Sequence, residues 1–278
     1  MTIKLDPKKV FFVPYSPYSE GLGLLVEKLG LKSVKVDGTS SILKNKISPK
    51  FLIFWGKPTK EVSDQLILNI KFCYLNHPSY VQMVVDKRKF FSNTQGQPYS
   101  LEYTTVPSVA YGWLEDEECK VVARETATGS GGQGISILKS LDDWDNKKKF
   151  AFFTKYIPKK AEYRVHVFNQ KVIAVSRKVM RQGEEPKNGW EIRSHDNGFI
   201  FQNEDPKDVP KKVLDSAINC CILLGMHFGG VDVIWNDKRK QAYVCEINSA
   251  PGIEGSTVDT YAKAIEDYIA INFKEYLL

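Results

Sequence analysis

No CxxC pair occurs among the five cysteines (Cys73, Cys119, Cys220, Cys221 and Cys245). An odd count without that spacing argues for reduced thiols and a cytoplasmic setting. The four histidines are scattered, which argues against a zinc-like cluster. No apolar run approaches the roughly 18 residues that a membrane helix needs. The opening MTIKLDPKK lacks an apolar signal core, which argues against secretion. Repeats and long low-complexity tracts are also missing. Acidic charge is in modest deficit, 33 Asp and Glu against 39 Lys and Arg, for a net +6. That excess is small for a nucleic-acid binder. It is uneven, however: Lys139 to Arg181 holds 12 basic residues and four acids. The segment favours an anionic partner, such as nucleotide phosphates or an acidic substrate. Within it, Lys147 to Lys149 read equally well as a solvated surface.

What is present is an ordinary globular composition, 42% hydrophobic and 26% charged over 278 residues, enough for two domains or one large lobed one. The first third reads as short α/β units. KVFFVPY is a strand, 21–30 a helix closed by Gly30, and FLIFWG (51–56) a second strand, which together predict a mostly parallel sheet. NTQGQPY (93–99) reads as a loop. KVVAR (120–124), GISIL (134–138) and FAFFTKYIP (150–158) are strands. EYRVHVF (162–168) and KVIAVSRKV (171–179) flank Asn169–Gln170 as a hairpin with a two-residue turn, so the middle of the chain is antiparallel. A helix is expected over 208–226 with Pro210 near its first turn, and another over 257–277. GGVDVIW (229–235) and AYVCEIN (242–248) are two further strands.

That last pair carries the strongest signal. Glu246 and Asn248 are two apart on a strand and share a face. If NDKRKQA is the loop, Trp235 opposes Tyr243 and Asp232 opposes Glu246. Opposed residues have Cβ atoms about 4.5–5.5 Å apart. Two carboxylates that close repel unless a cation sits with them or one is protonated. With the Asn248 oxygen added, three hard donors on one rigid face suit Mg²⁺, with Mn²⁺ as a substitute. The bland alternative is a hairpin with two acids facing solvent.

The second signal is the loop 126–134, rich in glycine (Gly129, Gly131, Gly132, Gly134) and preceded by Arg124. Glycines let backbone N–H groups approach an anion, and Arg124 adds charge. No GKT/S follows, so it is not a Walker A loop. It leads into a strand rather than a helix, so it is not a dinucleotide fingerprint. Alone it would read as a flexible hairpin; beside the acidic pair it reads as a phosphate lid.

The two segments in this order, with EYRVHVF between them, resemble the ATP-grasp superfamily, and most of all carboxylate–amine ligases such as the glutamate ligases of ribosomal protein tails. The resemblance runs from about Asp86 to Tyr261, with EINSAPGIEGST its most specific part. It implies an α/β (α+β) ATP-grasp fold: a pre-grasp α/β domain (1–85), then an ATP-grasp domain (86–278) whose small lid (86–155) and metal-binding subdomain (156–278) clasp ATP. It implies Asp232, Glu246 and Asn248 as Mg²⁺ ligands. Arg124 stands where the family usually has a phosphate-contacting lysine, and Lys87 in DKRKFF matches an earlier nucleotide-contacting lysine. Gly131 and Gly132 belong to the phosphate loop, which is one residue longer than in the glutamate ligases. Lys155, Tyr156 and Ile157 match the segment whose backbone pairs with adenine. Glu162 matches the acid on the ribose hydroxyls, and Lys178 replaces a family arginine. Arg193, Ser194 and His195 match an RSN-like nucleotide segment, with His in place of Asn.

Each position has a plainer reading. Lys87 could be a surface lysine, His195 a loop histidine, and Glu162 a partner of Lys178 or Lys160. Arg164 shares the face of Glu162 and could pair with it or bind substrate. His166 and His227 read as structural. The activity implied is ATP-dependent ligation of a carboxylate to an amine (an amino acid, peptide or small molecule) through an acyl phosphate, with Arg124, Arg193 and Glu246 at the chemistry. A small-molecule kinase and a non-catalytic nucleotide-binding module are the alternatives. Nothing points to a membrane or nucleic-acid partner.

Overall fold

Two strands near the N-terminus, β1 (Val10–Pro14) and β3 (Lys50–Trp55), are buried along their whole length. Continuous apolar runs of this kind mark strands covered on both faces. With β2 (Lys32–Ser33) and β4 (Phe72–Leu75) they form an all-parallel sheet in the order β2-β1-β3-β4. The helices between them are α1 (Glu20–Leu29), α2 (Ser41–Lys44) and α3 (Lys60–Asn69). Gly30 caps α1 at φ 62°, and its N–H reaches back to the Glu27 and Val26 carbonyls, as the glycine after a helix end predicts. This computed structural model describes residues 3–44, 50–69, 72–116, 118–129, 132–187 and 189–278.

Helices α4 (Pro78–Val85) and α5 (Lys87–Thr94) lead into a second, antiparallel sheet. It comprises β5 (Tyr103–Thr104), β6 (Val121–Arg124), β7 (Ile135–Leu138) and β8 (Phe152–Lys155), with α6 (Pro107–Trp113) beside it, in the order β5-β8-β6-β7. The third sheet is antiparallel throughout. It holds β9 (Ala161–Phe168), β10 (Lys171–Met180), β11 (Phe199–Glu204), β12 (Phe228–Asn236) and β13 (Gln241–Asn248), ordered β11-β10-β9-β12-β13. Asn169 and Gln170 both take positive φ (44° and 64°), the geometry of a tight two-residue hairpin turn, as the spacing predicts.

The largest core packs one face of the third sheet (Val165, Val167, Val231, Val233) onto α7 (Lys211–Leu223) through Val213, Ala217 and Cys220. Helix α8 (Ser256–Asn272) joins the other end of this sheet to the parallel one. Its Tyr261, Ile265 and Ile269 lie in one cluster with Phe12, Trp55, Phe168 and Phe228. Each such side chain contributes about 1.5–3 kcal/mol by leaving water. Asn76 ties the same two sheets together: its side chain accepts from the N–H groups of His227 and Phe228 and donates to the Phe228 carbonyl. His227 accepts from the Asn76 N–H and His166 lies 3.2 Å from the Tyr261 hydroxyl, which fits their structural reading. Among the described residues no helix is long and apolar enough to cross a membrane.

Several boundaries differ from the sequence reading. Pro210 caps α7 instead of sitting in its first turn, and the final helix ends at Asn272, before a short 3₁₀ turn over Lys274–Tyr276. Trp235 opposes Ala242, and Tyr243 opposes Ile234. A β-bulge follows the Asp232–Glu246 pair and shifts the register below it by one residue, while Asp232 opposite Glu246 stands as expected.

Candidate active site

A cavity of ≈ 680 Å³ lies between the second and third sheets. Its charged floor follows from strand alternation. Glu162 and Arg164 point from β9 to one face, Asp232 from β12 and Glu246 from β13. Arg164 is registered against Asp232, and Asp232 against Glu246, so the three stand side by side across three strands. Arg164 grips Asp232 with a two-pronged fork, Nε to Oδ1 at 2.7 Å and a terminal nitrogen to Oδ2 at 2.8 Å. It does not pair with Glu162, contrary to one of the two sequence readings. Its guanidinium also lies over the Phe201 ring, 4.3 Å from the centroid.

Lys87 opens α5 and is only 8% exposed, which excludes the surface-lysine reading. Its ammonium lies 2.8 Å from Glu246 Oε2 and donates to the Gly129 carbonyl at 2.8 Å, so one cation joins the glycine-rich loop to the metal-type carboxylate. The Lys87 N–H bonds the Ala127 carbonyl of the same loop. Burial works against a charged Glu246, yet Lys87, Arg124 and Arg164 hold its carboxyl down at about 2. Asp232 is pushed above its ordinary range by burial, against the pull of Arg164 and Lys178. Glu162 is sandwiched by Lys159, at 2.8 Å, and Lys178. Burial again opposes ionisation, and the two ammonium groups hold it at about 2. The Lys160 alternative is therefore replaced by Lys159.

Asn248 does not line the cavity but stands beside it. Its side-chain amide lies 3.4 Å from Glu246 Oε1. Asp232 and Glu246 offer hard carboxylate oxygens, and Asn248, whose amide nitrogen turns to Glu246, carries one amide oxygen. Each carboxylate has about four lone-pair sites. Arg164 takes two on Asp232, and Lys87 and Asn248 take one each on Glu246. The set therefore fits a small divalent cation sharing the carboxylates with Arg164 and Lys87.

Arg124 and Arg193 reach the cavity from opposite sides, β6 and the connection after β10. Among the described residues, three buried side-chain polar atoms lack a hydrogen-bond partner, and two of them are Arg124 Nε and Arg193 Nε. Arg124 lies over Phe152, and burial pushes its guanidinium below its ordinary value. Arg193 lies over Phe199 and donates to the Lys159 carbonyl at 3.3 Å. A buried guanidinium donor left unpaired is costly unless an anion completes it.

Part of the wall is apolar: Leu101, Val122, Ile137, Ile157, Ile192 and Ile234. Lys155, Tyr156 and Ile157 border this slot. The backbone N–H groups of Lys155 and Tyr156 are bonded within the chain, to the Glu102 and Lys120 carbonyls. The Lys155 ammonium turns to Glu102, 2.8 Å away. His195 also lines the cavity, and its Nε2 accepts from Arg181 at 2.6 Å, since arginine can only donate. Gly132, at φ 84°, packs against Ile192 and Ser194, so the glycine-rich loop touches the segment after β10. Gly131 lies outside the described residues.

Sequence reasoning missed Lys159, Phe201 and Glu191, all of which line the cavity. Phe201 had a signal, since Phe199 and Phe201 share a face of β11. Lys159 sits in an irregular stretch where no periodicity assigns a direction. Glu191 is held by Lys120 and Lys139, a contact between chain segments far apart in sequence.

Residues 136–271 match the RimK-like ATP-grasp domain family. No curated protein sequence matches the chain. Among solved structures, the ATP-grasp ligase PsnB, complexed with a phosphomimetic variant of minimal precursor, Mg and ADP, superposes with a TM-score of 0.68 at 11% identity, covering 96% of this chain and 99% of PsnB. The macrocyclase MdnC from Microcystis aeruginosa, bound with precursor peptide MdnA, gives 0.61 at 14% identity, covering 95% and 100%. The D-alanine–D-alanine ligase from Bacillus anthracis gives 0.62 at 12% identity, covering 94% and 95%. The chain thus has the ATP-grasp fold, with residues 136–271 matching the RimK-like ATP-grasp domain.

Proposed function

We propose that this protein is an ATP-dependent carboxylate–amine ligase that works through an acyl phosphate. The observation that carries the reading is the pair of arginines, Arg124 and Arg193, that line a cavity whose floor holds Asp232 and Glu246, each with a buried Nε that lacks a partner. An apolar slot beside a cationic, carboxylate-bearing floor suits a nucleoside triphosphate. The ATP-grasp ligases of the same fold add weight, since their solved complexes contain ADP and Mg or a precursor peptide.

In this reading a substrate carboxylate oxygen attacks the γ-phosphorus of ATP, the bond to ADP breaks, and an acyl phosphate forms. A neutral amine nitrogen then attacks the acyl carbon, the C–O bond to phosphate breaks, and the nitrogen releases a proton to the departing phosphate or solvent. Asp232, Glu246 and Asn248 would hold Mg²⁺ or Mn²⁺, which neutralises phosphate charge when bound. Arg124, Lys87 and the glycine-loop amides hold the phosphate oxygens, and Arg193 holds phosphate or the substrate carboxylate. Ile157 and its neighbours seat the adenine. Glu162 fixes Lys159 and Lys178 and faces the ribose, and His195 borders the nucleotide. The second sheet with its glycine-rich loop closes over the site and excludes water, which would hydrolyse the acyl phosphate. Residues 1–85, 86–155 and 156–278 then act as pre-grasp domain, lid and metal-binding subdomain. The cysteine pattern supports a cytoplasmic setting for this reading.

The test is incubation with Mg-ATP, hydroxylamine and a panel of carboxylic acids. Hydroxamate and ADP formed with one class of acid support the ligase. A stable phosphorylated product without hydroxamate turns the reading to a kinase. Absence of both products and of Mg-ATP binding removes the enzyme reading.

A further inference from the structure

The acids that line the cavity can be matched to their cations. Asp232 holds Arg164, Glu246 holds Lys87, Glu162 holds Lys159 and Lys178, and Glu191 is reached by Lys120 and Lys139. Glu254 remains. It lines the same cavity, is exposed, and forms no ion pair among the described residues.

Its backbone is held on several sides. The Glu254 carbonyl accepts the Thr257 N–H at 3.1 Å at the start of α8. Ile253 is 6% exposed and seated against Gly21, where an added Cβ would come within 2.7 Å of the Ile253 carbonyl oxygen. The Gly56 N–H donates to the Ser249 carbonyl at 3.1 Å. Pro251 folds over β12 so closely that a Cβ on Gly230 would lie 3.0 Å from it and 3.2 Å from Arg164 Cδ. Gly230 is two residues before Asp232 on the same face. The loop that carries Glu254 is therefore fixed beside the Arg164–Asp232 end of the cavity.

An unpaired carboxylate on a fixed backbone repels phosphate and attracts a cation. A ligase has one substrate that arrives with positive charge in neutral water, because a free aliphatic amine is an ammonium there. We propose that Glu254 is the docking group for a cationic amine substrate, which it holds at the carboxylate end of the cavity beside the activated carboxyl. This rests on the ligase reading above. It assigns the amine class: one that binds as its ammonium ion and attacks as the neutral amine after giving a proton to solvent, rather than a neutral amide or hydroxyl. The alternative role for an acid here, support of the α8 N-terminus, touches stability and leaves amine choice alone.

Hydroxylamine is largely uncharged at neutral pH and serves as the internal reference. With the acid that yields hydroxamate, the wild-type protein is given hydroxylamine together with, in turn, each common amino acid, short peptides and simple alkylamines, and the ratio of amide to hydroxamate is read. The proposal expects cationic amines to divert acyl phosphate to amide. It expects Glu254→Gln to lower that ratio at least tenfold through a raised KM for the amine, and Glu254→Asp to recover part of it. Equal loss of amide and hydroxamate in Glu254→Gln would overturn the proposal. So would an unchanged ratio, or a wild-type protein in which no cationic amine competes. Should no acid yield hydroxamate, the ligase reading itself fails and this assignment falls with it.

Discussion

The parallel sheet and the five-stranded sheet bury their strands to a similar degree but put different things inside. Strands β1 and β3 are buried end to end, with Lys50, the first residue of β3, as their one charged residue. Strands β9 and β12 are nearly as buried, yet they carry Glu162, Arg164, His166 and Asp232. An apolar interior is self-sufficient. A charged one is tolerable only when every charge is answered, and here the answers come from Lys87, Lys159, Lys178 and the Arg164–Asp232 fork. Replacing such pairs with packed apolar groups is often neutral or stabilising. Their presence on one face of one sheet is thus a mark of use rather than of stability.

The contrast leads to measurable differences, the largest in the charged row. Asp232→Ala strands Arg164 in the interior and is expected to cost about 3–5 kcal/mol in urea unfolding. Adding Arg164→Met should recover much of that loss, and failure to recover it would show that the fork is not what Asp232 supports. In the parallel sheet, Trp55→Ala should cost a similar 3–5 kcal/mol through cavity formation, with no second-site charge change able to restore it.

Activity separates the sheets next. Glu246→Gln keeps the shape of the side chain and removes its charge, and should lower hydroxamate formation at least about 100-fold while leaving the circular dichroism spectrum intact. Retained activity, or loss of fold, would remove Glu246 from the chemistry.

Acid should unfold the charged sheet first. Glu162 is held at about 2 in the folded protein against 4.5 as its ordinary value. Its contribution, about 3 kcal/mol by linkage, is present above pH 4.5 and lost as the pH falls toward 2. Burial, reinforced by Arg164, lowers His166 from 6.5 to about 3, so the unfolded chain takes up a proton there first. Its contribution is present above pH 6.5 and fades as the pH drops toward 3. Stability measured from pH 7 to 3 should fall, and Glu162→Gln should flatten the lower part of the curve. The smallest effect belongs to the surface: removing the exposed Lys211–Asp215 pair should leave the urea midpoint unmoved within error.

Much of the site was readable because strands have a strict period. Asp232 opposite Glu246, with Asn248 two residues on, follows from alternation and loop length, and the structure keeps that register although a bulge shifts the pairs below it. The cations were harder. Two opposed carboxylates demand positive charge, yet nothing local says whether it comes from a metal, from Arg164 or from Lys87. The choice of Lys160 over Lys159 as a partner of Glu162 failed for the same reason: no repeating geometry aims side chains between Pro158 and Ala161. The helices α4, α5 and α6 went unread because they are short, and DKRKFF shows an apolar face only through Phe90 and Phe91.

Sequence alone was enough for the strand hairpins, the Gly30 and Asn169–Gln170 turns, the Asp232–Glu246 pair with Asn248 beside it, and the glycine-rich loop. All of these depend on neighbours a few residues apart, where backbone geometry dictates who faces whom. The folded chain added what depends on distance along it: Lys87 bridging Gly129 and Glu246, Arg164 gripping Asp232, Arg124 and Arg193 meeting over one cavity, and Glu254 without an ion pair among the described residues. Charges are answered by whichever groups packing brings near, and packing is settled by apolar faces, Trp55 on Phe228 and Val165 beside Val213, that carry no information about charge.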